Sequence, residues 1–293
     1  MKIAVAKYPI DAPRDFTEFA DKQGRLLEQA AGEGAQVAVL PEFLSLELGA
    51  TLGEAVRGDL QASLAGIQRH HGDWLALFGG LARETGMRIV AGTFLLADGA
   101  GRYRNRAYFF APDGRHAWQE KLQMTGFEKK AGTIDGGDAL KVFDTNGIRT
   151  GIAVCYDIEF PLPVRAQCEA GARLLIVPSC TDAAAGATRV RVGCLARALE
   201  NRCYVAQSVT AGEAPWSPAL DFNTGEATIY APMDTGLPAD GVVAQTQGDQ
   251  VWAIADLDFE ALDASRERAQ VANDRDWPGQ NKPGIVSAKV EPL

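Results

Sequence analysis

Hydrophobic and polar positions along the chain form patterns that alternate between those of strands and those of helices. Lys2–Tyr8 has the pattern of a strand. Arg14–Glu33 has that of an amphipathic helix, because its apolar residues recur along one stripe. Gln36–Leu40 is a short, fully apolar run that ends at Pro41, which is typical of a strand buried on both faces. The chain therefore opens with strand, helix and buried strand.

Two turn sequences further along predict β-hairpins, Pro-Asp-Gly at 112–114 and Asn-Gly at 146–147. The paired segments are Arg102–Ala111 with His116–Glu120, and Val142–Asp144 with Ile148–Val154. The other predicted helices are Gly72–Thr85, Phe160–Ala170, Gly186–Asn201 and Phe259–Gln270. The other predicted strands are Arg88–Leu96, Arg173–Val177, Cys203–Val209, Ala227–Tyr230, Val242–Gln245 and Val251–Asp256. Residues 273–293 are expected to form an extended tail. This pattern predicts one mixed α/β layered domain spanning 1–293.

Composition and charge narrow the class of protein. The chain has 293 residues, of which 46% are hydrophobic and 23% charged, values that suit a globular protein with a sizeable core. Its formal net charge of −9 argues against nucleic acid or an anionic membrane as a general partner. No apolar run reaches the roughly 20 residues of a transmembrane helix, and the apolar start is too short for a signal peptide. We expect a cytoplasmic protein.

The cysteines point to reduced thiols rather than to a disulfide framework. There are five of them, an odd number, and no C-x-x-C motif occurs. Cys168, Cys194 and Cys203 lie inside helix or strand patterns and are expected in the core. Cys180 follows a strand end, where loops build binding sites, and is a candidate for lining a pocket.

Three reactive side chains follow directly after strand-like runs. Glu42 comes after the buried run, where desolvation raises the pKa of a carboxylate towards that of a general acid or base. Lys121 ends a strand, where its charge could stabilise an anion. Bland alternatives exist for both, since the glutamate could cap a helix and the lysine could protect a sheet edge.

Cys155 lies where the apolar strand Gly151–Val154 is expected to turn abruptly into a helix. The N–H of Tyr156 would then lie at a helix N-terminus, a natural site for an oxyanion, and the helix dipole would lower the pKa of the thiol. We expect Asp157 to hold this turn or to cap the helix. The alternative for Cys155 is a buried structural cysteine.

The three motifs occur in the order Pro41-Glu42-Phe43, Glu120-Lys121-Leu122 and Val154-Cys155-Tyr156-Asp157. Together they resemble the nitrilase superfamily, the carbon–nitrogen hydrolases. The flanking segments Glu159-Phe160-Pro161, Leu174–Ser179 and Arg197–Val205 resemble the same family, so the likeness runs from Lys2 to about Phe259. No other segment of the chain carries a comparable set of motifs.

The resemblance implies a four-layer α-β-β-α sandwich in which Glu42, Lys121 and Cys155 converge as a catalytic triad. It also implies a second carboxylate shortly after the lysine, which Glu128 matches best. The implied reaction is hydrolysis of a non-peptide C–N bond of a small amide, more than of a nitrile, through a cysteine thioester. No metal or organic cofactor is implied, and dimers are usual in such a family, so we expect a homodimer.

Some features leave the substrate open. Leu122–Phe127 lacks the histidine-rich or Phe-Asp sequence that is common in amidase branches. The insert at 211–223 resembles a bacterial branch in which some members carry an acetyltransferase domain. We expect Trp216 of this insert to offer a large face to the pocket, as a wall or lid. The acidic residues Glu213 and Asp221 would favour a neutral or positively charged amide, unless they simply belong to the acidic surface.

Two other function classes remain compatible with the residues alone. An isochorismatase-like hydrolase also uses a carboxylate, a lysine and a cysteine, although the Glu200-Asn201 motif argues against it. A catalytically silent scaffold or binding protein could keep the layered fold. Intact Glu42, Lys121 and Cys155 argue against such a protein.

Overall fold

The computed structural model describes residues 1–292. The strands are β1 Lys2–Pro9, β2 Val37–Leu40, β3 Arg88–Gly99, β4 Arg102–Phe110, β5 His116–Glu120, β6 Ile134–Asp135, β7 Val142–Thr145, β8 Ile148–Ile152, β9 Leu174–Ser179, β10 Tyr204–Glu213, β11 Phe222–Asn223, β12 Thr228–Tyr230, β13 Val242–Gln245 and β14 Trp252–Asp256. The α-helices are α1 Phe16–Gly32, α2 Glu54–Arg57, α3 Leu60–Ile67, α4 His71–Thr85, α5 Gly126–Ala131, α6 Pro161–Glu169, α7 Ala184–Asn201, α8 Phe259–Arg268 and α9 Asn273–Asp276. Short 3₁₀-helices cover Leu44–Thr51, Gln68–His70, Cys155–Glu159 and Trp277–Asn281.

The strands form one curled sheet, whose main path runs β5-β4-β3-β2-β1-β10-β9-β8-β7. Strand β1 is the joint of this sheet. Its first residues, Ile3–Val5, pair with β2, while its last residues, Lys7–Pro9, pair with β10. The curl therefore brings β2 and β5 on one half of the sheet opposite β8 and β9 on the other.

Successive side chains along a strand point to opposite faces of the sheet. Ile3 and Val5 of β1 belong to the apolar cluster that also contains Leu175 and Val177 of β9, on the other half of the sheet. Ala4 and its outward-facing neighbours along β1 belong instead to the cluster around the helices of the first half. One core thus lies between the two halves of the sheet.

Helices cover the two outer faces of the curled sheet. Helix α1 packs on the first half through Phe19 and Leu27, beside Trp74 of α4, and these side chains are fully buried. Helix α7 covers the second half, where Val190 and its buried neighbours belong to the same apolar cluster as β9. The result is the predicted α-β-β-α layering.

Most predicted elements are present, and the differences have physical causes. Both hairpins form, since β4 pairs with β5 and β7 with β8 antiparallel. Residues 44–67, which carry no clear periodicity, form a 3₁₀-helix and two short α-helices, stabilised by contacts with the helical layer of the first half.

The predicted extended tail is wrong for 273–281, which forms α9 and a 3₁₀-helix. Arg165 stabilises this segment, because its guanidinium donates to the Asp274 carbonyl and stacks over Trp277. Residues 282–292 have no regular structure, apart from turns, and the final tail residue, Leu293, lies outside the described residues. Within 1–292, no helix combines the length and the apolar character needed to cross a membrane.

A glycine in β3 allows a close approach to the segment that carries Glu42. Gly92 has φ 64°, and a Cβ there would lie 2.1 Å from the Pro41 carbonyl oxygen. Thr93 donates its backbone N–H to that same oxygen at 3.2 Å. Any side chain at position 92 must therefore displace the backbone next to Glu42.

We expect Gly92→Ala to lower the free energy of unfolding by more than the 1–2 kcal/mol that a left-handed L residue costs, because a steric clash is added. Urea denaturation measures this change. Gly80→Ala on α4 is the matched control, since its Cβ would meet only the Glu84 carboxylate, at 4.0 Å. That control should be neutral or stabilising by up to about 1 kcal/mol. Equal stabilities for both variants would contradict the proposed clash.

Candidate active site

Glu42 lies directly after β2, and the backbone around it is tightly held. Its neighbour Phe43 has φ 62°, in the left-handed region, and donates its N–H to the Thr93 hydroxyl at 2.8 Å. The Thr210 hydroxyl donates to the Glu42 carbonyl at 3.0 Å. These contacts maintain a strained backbone conformation that aims the carboxylate into the interior.

Lys121 lies at the end of β5 and is only 1% exposed. Its ammonium donates to Glu42 Oε1 at 2.8 Å and to Glu128 Oε2 at 2.7 Å. Burial alone would lower the pKa of this lysine, but the two carboxylates raise it above the ordinary value. Lys121 is therefore a fixed positive charge in the interior.

Glu128 reaches this lysine from the first turn of α5, which Thr125 caps. Its Oε2 also accepts from the Thr125 N–H and hydroxyl, each at 2.9 Å, while its N–H donates to the same hydroxyl at 3.3 Å. This reciprocal capping box fixes the carboxylate. Glu128 is fully buried, as a residue that holds Lys121 in place must be.

Cys155 follows β8 with φ 48°, a conformation that an L residue rarely adopts. The predicted abrupt turn from strand into helix is present, but the helix is of the 3₁₀ type. Cys155 opens a five-residue 3₁₀-helix, and α6 begins only at Pro161. Tyr156 is the second residue of that short helix, so its N–H belongs to the donors at the helix start that lack an intrahelical partner.

The thiol of Cys155 has a raised pKa, contrary to the lowered value expected from a helix dipole. Burial raises it first, and the Glu42 carboxylate raises it further, while Lys121 opposes them. A single short 3₁₀-helix supplies too small a dipole to outweigh burial. The thiol donates to the Cys180 carbonyl oxygen at 3.6 Å, and the Glu42 carboxylate is close enough to raise its pKa. It rests protonated beside a carboxylate.

Burial also raises the pKa of Glu42 from its ordinary value, although Lys121 lowers it in part. Asn105 on β4, a site residue outside the three sequence motifs, donates from Nδ2 to Glu42 Oε1 at 2.9 Å. The backbone carbonyl oxygen of Asn105 accepts from the backbone N–H of Lys121 at 2.8 Å. With Lys121 and Asn105 both on Oε1, Oε2 remains for the thiol. An asparagine inside a strand gives no signal in sequence by which it could have been found.

A cavity of about 280 Å³ opens over this cluster. Its floor contains Glu42, Lys121 and Cys155, and its walls include Tyr156 and Cys180. This is the place predicted for Cys180, whereas the oxyanion role of the Tyr156 N–H stays a prediction. The rim carries charged groups of both signs, namely Glu159, Asp182, Arg189 and Asp221. The volume suits a small substrate.

Trp216 is not among the residues that line the cavity, so its predicted place in the pocket wall is wrong. Its ring lies over Gly49, where a Cβ would come within 3.4 Å of Cζ3, and packs with the outer cluster. The insert is also more regular than expected, because β10 extends to Glu213 and pairs with β11. This hairpin turns Trp216 away and presents Pro218, Ala219, Asp221 and Asn223 to the cavity.

Comparison with known proteins places the chain among relatives. The family model described as carbon-nitrogen hydrolase matches residues 2–262. A probable hydrolase of Bacillus subtilis, YhcX, is 32% identical over 94% of this chain, which spans 53% of the length of that relative. The omega-amidase NIT2-A of Xenopus laevis is 26% identical over 86% of this chain and 87% of its own.

Solved structures share the fold. Nit3 of Saccharomyces cerevisiae, a member of branch 10 of the nitrilase superfamily, has a TM-score of 0.73 at 20% identity, covering 94% of this chain and 96% of its own. An amidase from Nesterenkonia sp. has a TM-score of 0.69 at 23% identity, covering 92% of this chain and 95% of its own. The layered fold, the extent of the family match and the identity to YhcX agree with the resemblance of the motifs, and the chain belongs to the carbon-nitrogen hydrolase family.

Proposed function

We propose that this protein hydrolyses the C–N bond of a small amide through a thioester on Cys155. The observation that carries the proposal is the buried cluster in which a thiol, a carboxylate with a raised pKa and a fixed ammonium share the floor of one cavity. Family membership supports it and argues against the isochorismatase-like alternative. Because the similar proteins include an omega-amidase, we favour amides over nitriles as substrates.

In the first half of the reaction, Cys155 Sγ attacks the amide carbon while Glu42 accepts the thiol proton. The S–C bond forms and the carbonyl electrons move to oxygen, which the Lys121 ammonium and the Tyr156 N–H stabilise. Glu42 then gives its proton to the nitrogen as the C–N bond breaks. The product is an acyl thioester plus ammonia or an amine.

In the second half, Glu42 accepts a proton from water, whose oxygen attacks the thioester carbon. The C–S bond breaks, the thiol regains a proton through Glu42, and a carboxylic acid leaves. Glu128 accepts a second hydrogen bond from the Lys121 ammonium and positions it. These steps require only side-chain and backbone groups of this chain and water, and no cofactor.

The raised pKa of both Glu42 and Cys155 suits this scheme. A thiol that rests protonated next to an ionised carboxylate avoids placing two negative charges together in a buried site. The proton moves only when the developing oxyanion offers Lys121 a new partner. The pair therefore becomes reactive on substrate binding.

An ammonia-release screen across small amides, N-carbamoyl compounds and nitriles tests the proposal. Release from at least one amide, with none from Cys155→Ala, is the expected result. A protein that binds such compounds without any release would instead be a silent scaffold. The expectations of a homodimer, of a cytoplasmic location and of a single domain over 1–293 stay predictions.

Cys155→Ala should abolish hydrolysis and leave the fold intact. Removing one sulfur should cost less than the 2–5 kcal/mol typical of leucine truncation in a core. Ammonia release measures the first effect and urea denaturation the second. Cys194→Ala, which removes a buried thiol outside the cavity, is the control and should keep its turnover. Residual turnover in Cys155→Ala would exclude this residue as the nucleophile.

Lys121→Ala should lower kcat by about 10²–10³-fold, the usual effect of removing one oxyanion donor. Lys121→Arg should restore little, because a planar guanidinium does not fit between Glu42 Oε1 and Glu128 Oε2 as a compact ammonium does. Steady-state kinetics decide the role. An effect confined to KM would make Lys121 a ground-state binding residue.

Asn105→Ala should move the acid limb of kcat/KM that belongs to Glu42 to higher pH. The ionised form of a carboxylate with a raised pKa is lost as pH falls through that pKa, and removing a donor to the ionised form raises it further. Rate profiles between pH 5 and 9 measure the shift. Asn146→Ala, in the exposed β7–β8 turn, is the control. An unshifted limb would mean that Glu42 is not the titrating base.

A further inference from the structure

Asp157 connects the two halves of the curled sheet at the level of the catalytic cluster. Its side chain belongs to the 3₁₀-helix that starts with Cys155, and the residue is only 3% exposed. Oδ1 accepts from the Gln123 N–H at 2.7 Å, and both oxygens accept from the Leu122 N–H, at 3.1 and 3.0 Å. Oδ2 also accepts from the Val154 N–H at 3.3 Å. The carboxylate thus touches the residues next to Lys121 and next to Cys155.

We infer that Asp157 is a positioning residue whose carboxylate fastens the Lys121 segment to the Cys155 turn and so sets where the ammonium lies relative to the sulfur. The inference rests on the proposed function, because it concerns an oxyanion formed at Cys155. Lys121 and Cys155 follow strands of opposite halves of the sheet, β5 and β8, which do not pair with each other. A direct link at their ends therefore controls a distance that the sheet leaves adjustable.

The remaining contacts of the Lys121 segment explain why this link matters. The Lys121 N–H donates to the Asn105 carbonyl and its own carbonyl accepts from the Gly137 N–H, both at 2.8 Å. These two bonds hold the lysine to its own half of the sheet. The bonds from Leu122 and Gln123 to Asp157 join this segment to the nucleophile turn. A misplacement of about 1 Å can cost 10²-fold in rate.

Only the ionised form of Asp157 satisfies all three donors. A carboxylate accepts on both oxygens, whereas a carboxylic acid carries a hydrogen on one of them. Since each oxygen of Asp157 accepts backbone N–H groups, protonation of either one sets an O–H against an N–H. Protonation therefore weakens the link between the two segments.

Burial raises the pKa of Asp157 to about 7, while the N–H groups of Leu122 and Gln123 and the Lys121 ammonium oppose the rise. Other charged and titratable groups surround its turn. The catalytic cluster contributes Lys121, Glu42, Glu128 and Cys155. The turn itself carries Glu159, which pairs with Arg189 of α7, and Arg197 of α7 donates to the Ile158 carbonyl. The link is complete above pH 7 and weakens below it. The free energy of unfolding changes in the opposite direction. Because the pKa of Asp157 is higher in the native state than in the unfolded chain, protonation favours the native state as pH falls from about 7 towards the pKa of the unfolded chain.

The first test uses the wild-type protein and needs no substrate. Amide hydrogen exchange of peptides that contain Leu122 and Gln123 is followed at pH 6, 7 and 8 and corrected for the intrinsic rate. We expect protection to fall about tenfold from pH 8 to pH 6. Peptides from β9 should keep theirs. Equal protection at all three values would overturn the inference, whether or not the protein hydrolyses any amide.

The second test uses Asp157→Asn, whose side chain cannot ionise. With an amide that the wild type hydrolyses, kcat at pH 8 should fall about 10–10²-fold while KM changes less than threefold. The part of the acid limb with a midpoint near pH 7 should disappear, and the limb that Asn105→Ala shifts should remain. Asp258→Asn is the matched control, since Asp258 also accepts a backbone N–H, but its donor is Ala261 in α8, which belongs neither to the Lys121 segment nor to the Cys155 turn.

The outcomes separate the two proposals. A wild type that releases ammonia, with an Asp157→Asn profile that superimposes on it, would overturn the positioning role and leave the proposed hydrolysis standing. A wild type that hydrolyses nothing would overturn the proposed function, and the exchange measurement would still decide whether the link exists and titrates. If Asp157→Asn does not fold, as judged by circular dichroism, the wild-type exchange alone decides.

Discussion

The structure of the site depends on one buried positive charge. Moving an ammonium out of water costs several kcal/mol even after relaxation, and it is tolerated only where opposite charges and hydrogen bonds compensate it. Lys121 is compensated by Glu42 on one side and Glu128 on the other. Burial raises the pKa of Glu42, and the neighbouring Glu128 carboxylate raises it further, although Lys121 opposes both. The residue that stabilises the lysine is thereby prepared to accept a proton.

The segments around the site keep these charged groups buried, although hydration would favour their exposure to water. Two of the segments that form the site, those of Glu42 and Cys155, have an unusual backbone, with φ 62° at Phe43 and φ 48° at Cys155. Such conformations persist only where neighbouring contacts fix them. Thr93 and Thr210 do this for the Glu42 segment, and the Asp157 carboxylate does it for the Cys155 turn. These buried polar side chains thus maintain the backbone geometry of the site.

The thiol shows how burial changes an argument made from local sequence. A helix start lowers the pKa of a neighbouring cysteine when the cysteine is accessible and the helix is long. Here the helix is a single 3₁₀ segment, the sulfur is buried and a carboxylate lies beside it, so the pKa is raised. The chemistry that fits is proton transfer coupled to attack, with Glu42 as the base, instead of a standing thiolate.

The sequence by itself determined what depends on local pattern. Period-two strands, an amphipathic first helix and two turn sequences predicted a layered α/β fold. The resemblance of three short motifs to the nitrilase superfamily implied that Glu42, Lys121 and Cys155 converge and that Glu128 supplies a second carboxylate. Only the tertiary structure decided the contacts between distant segments. Asn105 on Glu42 and Asp157 on the Lys121 segment are contacts between segments far apart in sequence, and the second of them depends on the curl of the sheet. Trp216 is turned away by the β10–β11 hairpin and by its packing over Gly49. A local pattern determines which face of an element is buried, but the neighbour of a buried polar group is set by packing.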